Sequence, residues 1–312
     1  MNCSRRLGRA GMGLAAVLAA AGAPVVAQPV FVVTNRTTMY RAVNGVVGTS
    51  SIAPERLSKM AIVPPDVSIP GFAPGDVMSV GAVENGDGSV NVYRIGGVCA
   101  GAPVLELVRT GAILAGDIAF ANGRLYGIDS VGGVTRLTEF DLDTFEPLGE
   151  PVALANVTGA GGLAFDGEYF YFSAGGPNRL FRYSEATGTE RLNPPEPIEF
   201  TNSDLEWFGG RLWGAIAQGN TDIQLGVWDR TNGQFTALYT LDRVADPDAI
   251  GIGAVDCGCA ADFNGDGTVN TQDVIRFLNA WTAGQVSADF NGDGAIDTRD
   301  VIGFLGVWAA GC

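Results

Sequence analysis

The chain contains no histidine and a single lysine, Lys59, in 312 residues. Without imidazole there is no Ser-His-Asp triad, no Cys-His nucleophile pair and no histidine metal site. Any chemistry must rest on carboxylates, tyrosine, a thiol or a bound metal ion. Basic residues are few: 19 against 34 acidic ones, a formal net charge of −15. Nucleic acid and anionic lipid are held by positive charge and are therefore poor partners. Long apolar runs are also missing beyond the first 27 residues, so no segment reaches the ~18 apolar residues of a spanning helix. An acidic surface of this kind suits solubility and divalent cations.

Residues 1–27 stand apart. Arg5, Arg6 and Arg9 precede an apolar run from Met12 to Val26 that ends Val25-Val26-Ala27. This order of charge, apolar stretch and small-residue end is that of a secretory signal peptide cleaved after Ala27, and Cys3 leaves with it. The mature chain then has 16 basic against 34 acidic residues, a net charge of −18. Four cysteines remain: Cys99, Cys257, Cys259 and Cys312. An even number in an exported protein reads as two disulfides. The expected location is extracellular.

The C-terminal end repeats itself. "ADFNGDGTVNTQD" starts at Ala261 and "ADFNGDGAIDTRD" starts 27 residues later at Ala288. Counting twelve positions from Asp262 gives Asp262, Asn264, Asp266, Thr268, Asn270 and Asp273 at positions 1, 3, 5, 7, 9 and 12. The second copy gives Asp289, Asn291, Asp293, Ala295, Asp297 and Asp300. This is the ligand spacing of an EF-hand calcium loop. Ca²⁺ takes six to eight hard oxygens, a glycine at position 6 permits the bend, and position 7 offers only its carbonyl. That explains why Thr268 and Ala295 can share one role. After each loop, Val274, Ile275, Phe277, Leu278 and Trp281 are matched by Val301, Ile302, Phe304, Leu305 and Trp308, one apolar face of a helix. No helix pattern precedes either loop, and position 12 carries Asp where EF-hands usually carry Glu.

Both departures point the same way: residues 257–312 resemble a bacterial dockerin, in the variant ending Gly-Cys. The resemblance implies two bound Ca²⁺ ions, folding that depends on them, and a cohesin-like receptor contacted near Thr271, Gln272, Thr298 and Arg299. Cohesin-binding dockerins often carry basic residues further along the helix, where this chain has Leu278-Asn279 and Leu305-Gly306. Another surface receptor is therefore an equal alternative. The resemblance also implies a pseudo-two-fold axis exchanging the two units, which brings Cys259 beside Cys312 and leaves Cys99 to pair with Cys257. The competing pattern is Cys257 with Cys312.

Residues 28–256 are rich in glycine and β-formers, and they too repeat. "GDIAFANGRLYGI" from Gly116, "GGLAFDGEYFYFS" from Gly161 and "SDLEWFGGRLWGA" from Ser203 each read as strand, two-residue turn, strand. Unit starts at Asp76, Asp117, Gly162, Asp204 and Asp248 lie 41, 45, 42 and 44 residues apart. A period near 43 with four strands per unit is that of a β-propeller. "VFVVTNRTTMYRAVNG" from Val30 supplies a second and third strand without a first, and "DAIGIGAV" from Asp248 a first without a second. Together they close one blade, giving five blades, with six as the alternative.

The expected architecture is therefore a signal peptide (1–27), a mainly β propeller (28–256) and a small α module of two calcium loop–helix units (257–312). Asp76, Asp117, Asp204 and Asp248 are expected at one mouth of the channel. Glu206 lies two residues beyond Asp204, making Asp204 and Glu206 the only candidates for a catalytic pair. The same carboxylates can instead accept hydrogen bonds from neighbouring blades. Trp207, Trp213, Trp228 and Tyr171 either stack on sugars or pack between blades. The leading functional expectation is an exported binding or scaffolding propeller attached to a cell surface or complex. The alternative is a carboxylate- or metal-assisted enzyme acting on glycosidic bonds, with carbohydrate as its partner.

Overall fold

The computed structural model describes residues 30–312, apart from 44–45, 86–88, 100, 114, 158, 175–178, 197, 201, 218–221, 242–249, 256, 258–260, 262, 264–268, 285–287, 289, 291–294 and 311–312. The expected signal peptide and Cys3 lie outside the described residues.

Twenty strands are described, in chain order. β1 (Val30–Asn35), β2 (Thr38–Val43) and β3 (Val46–Ile52) are followed by β4 (Leu57–Ile62), β5 (Val77–Glu84), β6 (Val90–Gly96) and β7 (Val104–Gly111). The next group is β8 (Asp117–Ala121), β9 (Arg124–Val131), β10 (Val134–Phe140) and β11 (Pro147–Leu154). After it come β12 (Ala160–Phe165), β13 (Phe170–Ala174), β14 (Arg179–Ser184) and β15 (Gly188–Arg191). The last are β16 (Asn202–Phe208), β17 (Arg211–Ala217), β18 (Ile223–Trp228), β19 (Phe235–Leu241) and β20 (Ile250–Val255). They form five antiparallel four-stranded sheets: β20-β1-β2-β3, then β4 to β7, β8 to β11, β12 to β15 and β16 to β19. The first strands, β20, β4, β8, β12 and β16, neighbour one another around a closed ring. The fold is a five-bladed β-propeller.

Local sequence accounts for the blades. Asn122 and Gly123, between β8 and β9, both have positive φ (50° and 78°), the conformation of a two-residue hairpin turn whose twist matches its strands. Buried residues of neighbouring sheets then meet in five apolar cores, one at each junction. Phe31 and Val33 of the first blade pack with Ala215 and Leu225 of the fifth, for example. With five junctions for five sheets, the ring has no open side.

The two half-blades meet as expected. β20 pairs with β1 from Val255↔Val30 to Ile250↔Asn35, so the last strand of the propeller is hydrogen-bonded to the first. Cys257, just beyond β20, is joined to Cys99 after β6 with Cα atoms 5.3 Å apart. The bond ties the closing blade to its neighbour, as the sequence reading assigned.

One blade start is corrected. The unit counted from Asp76 begins with β5, the second strand of its blade; the first strand is β4, on the other side of the loop 63–76. Asp76 therefore does not stand at the channel. Its carboxylate accepts a hydrogen bond from the Ala73 amide at 2.7 Å and lies 3.8 Å from Arg94.

Beyond the propeller, the described residues form two helices, α1 (Thr271–Thr282) and α2 (Thr298–Ala310). No described helix is long and apolar enough to cross a membrane.

Candidate functional site

The two helices carry the ends of the two repeated loops. Asn270, position 9 of the first loop, caps α1: its side chain accepts from the Gln272 amide at 2.7 Å, and its own amide donates to Asp273 at 2.8 Å. The second loop repeats this. The Asp297 amide donates to Asp300 at 2.8 Å, and its side chain accepts from the Arg299 amide at 2.8 Å. Position 12 thus serves a reciprocal cap in both units, a use that a short Asp fits. Asp273 and Asp300 are fully buried, and a carboxylate taken from water needs compensating partners. Ala295, at position 7, is exposed. The other seven expected ligands, Asp262, Asn264, Asp266, Thr268, Asp289, Asn291 and Asp293, lie outside the described residues. Among the described residues alone no cluster of three metal-ligating side chains is assembled. The donor set is nonetheless all oxygen and mostly carboxylate, which suits a hard cation.

The halves are related by the 27-residue shift in three dimensions as well as in sequence. Trp281 Nε1 donates to the Asp297 carbonyl at 2.8 Å, and Trp308 Nε1 to the Asn270 carbonyl at 2.9 Å. Adding 27 to one residue of each pair and subtracting it from the other turns the first bond into the second. Phe277 and Phe304 stack on each other at 4.1 Å. Phe263 and Phe290 stand edge-on across the pair, 6.0 Å from Phe304 and 6.1 Å from Phe277 respectively. Exchange of the units leaves all these contacts in place, which is a pseudo-two-fold axis. Thr271, Gln272, Thr298 and Arg299 are exposed on the first turns of the helices, with Arg299 paired to Asp297 at 2.7 Å. Cys259 and Cys312 lie outside the described residues.

At the propeller channel the structure places two of the four expected acids. Asp117 and Asp204 are each 1 % exposed, and Asp248 lies outside the described residues. Asp117 of the third blade accepts from the Leu163 amide of the fourth and, at 3.4 Å, from the Met60 amide of the second. Asp204 of the fifth blade accepts from its neighbour Leu205 at 2.9 Å and from Ile252 of the first blade at 2.6 Å. The two carboxyl groups also hydrogen-bond to each other. One pair of acids therefore reaches all five blades. Gly162 makes this possible: a Cβ there would stand 2.3 Å from the Leu205 nitrogen.

A carboxyl–carboxyl hydrogen bond needs a proton. Burial first, and the Asp204 charge second, hold Asp117 well above the usual carboxylate range. Burial raises Asp204 to about 7. Glu206 is raised too, by burial and then by Asp204; part of the residue is exposed, but its Oε2 is buried without a hydrogen-bond partner. These are pKa values of the kind catalytic acids show. Yet Asp117 and Asp204 spend their oxygens on backbone amides and on each other, and neither opens to a cleft. The arrangement is that of a clasp between blades.

The aromatic candidates divide in the same way. Trp213 packs edge-on against Phe31 across a blade junction at 4.8 Å. Tyr171 and Trp228 are buried in the core between the fourth and fifth blades. Trp207 carries the Arg230 guanidinium over its ring. Sequence reasoning missed the charged groove beside these residues, because it depends on which strands of different blades face each other.

No family model and no curated protein matches this chain. Among solved structures, the chain is similar to one in a nidogen/laminin complex, with 11 % identity, a TM-score of 0.50, and 72 % of this chain and 98 % of that one covered. It is also similar to TolB from Acinetobacter baumannii (16 % identity, TM-score 0.41, 68 % and 52 % covered). A third match is a glutaminyl cyclase from Myxococcus xanthus (22 % identity, TM-score 0.27, 38 % and 47 % covered). The chain spans about half the length of these last two. At such identities the likeness to the nidogen/laminin structure is one of fold alone.

Proposed function

We propose that this protein is an exported binding or scaffolding propeller, held to a cell-surface or extracellular receptor by a calcium-dependent, dockerin-like C-terminal module. The observation that supports this most is the reciprocal pair of tryptophan bonds, Trp281 to Asp297 and Trp308 to Asn270. Each helix is pinned to the exit of the other unit's loop, so ordering one loop favours the other. In the absence of metal, seven aspartates against two arginines give residues 257–312 a net charge of −5, and two Ca²⁺ ions reduce this to −1. Ion binding is then coupled to folding. The propeller contributes a rigid ring, and its buried channel acids argue for a structural rather than a hydrolytic part.

The test is receptor capture. Full-length protein on a solid support, offered surface proteins of the producing cell, should retain a receptor in calcium and release it in chelator. Replacing Thr271, Gln272, Thr298 and Arg299 by alanine should abolish retention. Capture that ignores both chelator and substitution would overturn the reading.

A further inference from the structure

The propeller face bearing the β12–β13, β16–β17 and β18–β19 turns holds a groove of about 480 Å³ between the fourth and fifth blades, lined in part by Arg182, Arg211, Arg230 and Glu168. That volume lies within the ~300–1,000 Å³ usual for small-ligand sites. Two of its arginines are engaged. Arg230 is paired with Asp166 and lies 4.9 Å above the Trp207 ring. Arg182 donates through Nε to Glu190 at 2.6 Å and lies 4.6 Å above Tyr169. Asp229, which lines the groove with Asp166 and Glu168, is occupied within its own turn by the Thr231 amide at 2.7 Å and by the Asn232 amide and Thr231 hydroxyl.

Arg211 is different. It is exposed, and among the described residues its side chain has neither ion pair nor hydrogen bond. The repeat shows what it lacks. Arg124 holds the same place in the third blade, and there Tyr126 faces Glu139, which pairs with Arg124 at 3.1 Å. In the fifth blade Trp213 faces Val227 instead. The acid that neutralises the arginine of one blade is thus a valine in the other. The third-blade groove, about 220 Å³, closes on its own ion pair; the groove at Arg211 presents a bare guanidinium, in a chain with a net charge of −15.

We infer that this groove binds a short saccharide carrying a carboxylate, with Arg211 holding the carboxylate as a two-pronged pair. A guanidinium fork matches a carboxylate in plane and spacing. Glu168 and Thr231, which share the lining with Arg211, face the ring hydroxyls. The inference rests on the reading of the propeller as the binding part of the protein, and it names that part's ligand class.

Calorimetric titration of the full-length protein in calcium tests it, with trigalacturonate as probe, its methyl ester as the uncharged counterpart, and Arg211→Ala and Arg124→Ala as variants. The free acid should bind and the methyl ester should not. Arg211→Ala should weaken binding at least roughly tenfold, the loss of one charge-assisted pair. Arg124→Ala should stay within about twofold. Both arginines are on the surface, and matching melting curves would show both variants folded. No heat with the acid, equal affinity for the ester, or an unaffected Arg211→Ala would each overturn the assignment. Receptor capture through the C-terminal module is read separately, so either idea can fail alone.

Discussion

Replacing Asp117 by Asn should have a quite different effect from replacing Asp204 by Asn, although the two acids share one hydrogen bond. Asp117 is the member whose carboxyl is held protonated beside the Asp204 charge. Asn imitates a neutral carboxyl: its amide N–H can donate to Asp204 and its oxygen can accept from Leu163, at the expense only of the long 3.4 Å bond from the Met60 amide. Asp204, by contrast, accepts from Leu205, Ile252 and Asp117. An Asn there turns one acceptor into a donor facing a buried amide. At ~1–3 kcal/mol per unsatisfied buried group, Asp204→Asn should cost about 3 kcal/mol. The wild-type protein should also show a particular pH dependence. Asp117, Asp204 and Glu206 are all raised in the folded state, so the stability they contribute is present below pH ~4 and is lost as pH rises through 7. For Asp204 alone, a rise to about 7 corresponds to ~4 kcal/mol. In a domain of this size that is on the order of 10 °C in melting temperature. Asp141, Asp166 and Asp229 are held low, so their contribution is lost on the acid side, below this window. Melting of the propeller between pH 5 and 9 should therefore fall in wild type and fall less steeply in Asp117→Asn, where Asp204 and Glu206 remain raised by burial. A flat or rising wild-type curve, or equal damage by the two Asn variants, would refute the shared-proton clasp.

Other outcomes follow from single contacts. Gly162→Ala should lower the propeller's melting temperature by several degrees, because the added Cβ meets the backbone of Asp204 and Leu205 and overpacking costs ~1–3 kcal/mol; differential scanning calorimetry reads this. The Cys99→Ser, Cys257→Ser double variant releases a constraint spanning 158 residues, worth about 5 kcal/mol in the chain-entropy model, and should become sensitive to limited proteolysis near β20. Phe277→Ala and Phe304→Ala remove either half of the central stack. Each should cost ~3–5 kcal/mol, and by symmetry the two losses in helix content seen by circular dichroism should be similar. Non-reduced peptide mapping should find Cys259 linked to Cys312.

Much of the ring was legible because its signals are local. The Asn122-Gly123 turn announces a hairpin in two residues, and the half-blades at Val30 and Asp248 name their missing strands by comparison with complete ones. The second blade was misread for a physical reason: β4 is separated from β5 by the loop 63–76, with Pro64-Pro65 in it. Hairpin connections are usually much shorter, so the period locked onto β5 and put Asp76 where Lys59-Met60 stands. The clasp was legible only as a row of acids. That Asp117 and Asp204 meet across the fourth blade depends on Gly162 leaving room, which no spacing rule encodes. The groove at Arg211 was not legible at all until strand pairing showed Val227 in the place of Glu139. The loop–helix repeat carries its ligand pattern in one short phrase, and the structure adds the reciprocal caps and tryptophan bonds.

The central claim is that the C-terminal module is built by calcium. The most direct measurement is a calcium titration of the full-length, chelator-treated protein, followed together by equilibrium ion binding and by far-ultraviolet circular dichroism. Uptake of two ions per chain, with helical signal rising in step as α1 and α2 form, is the predicted result. No uptake, or full helical signal already present in chelator, would contradict the account.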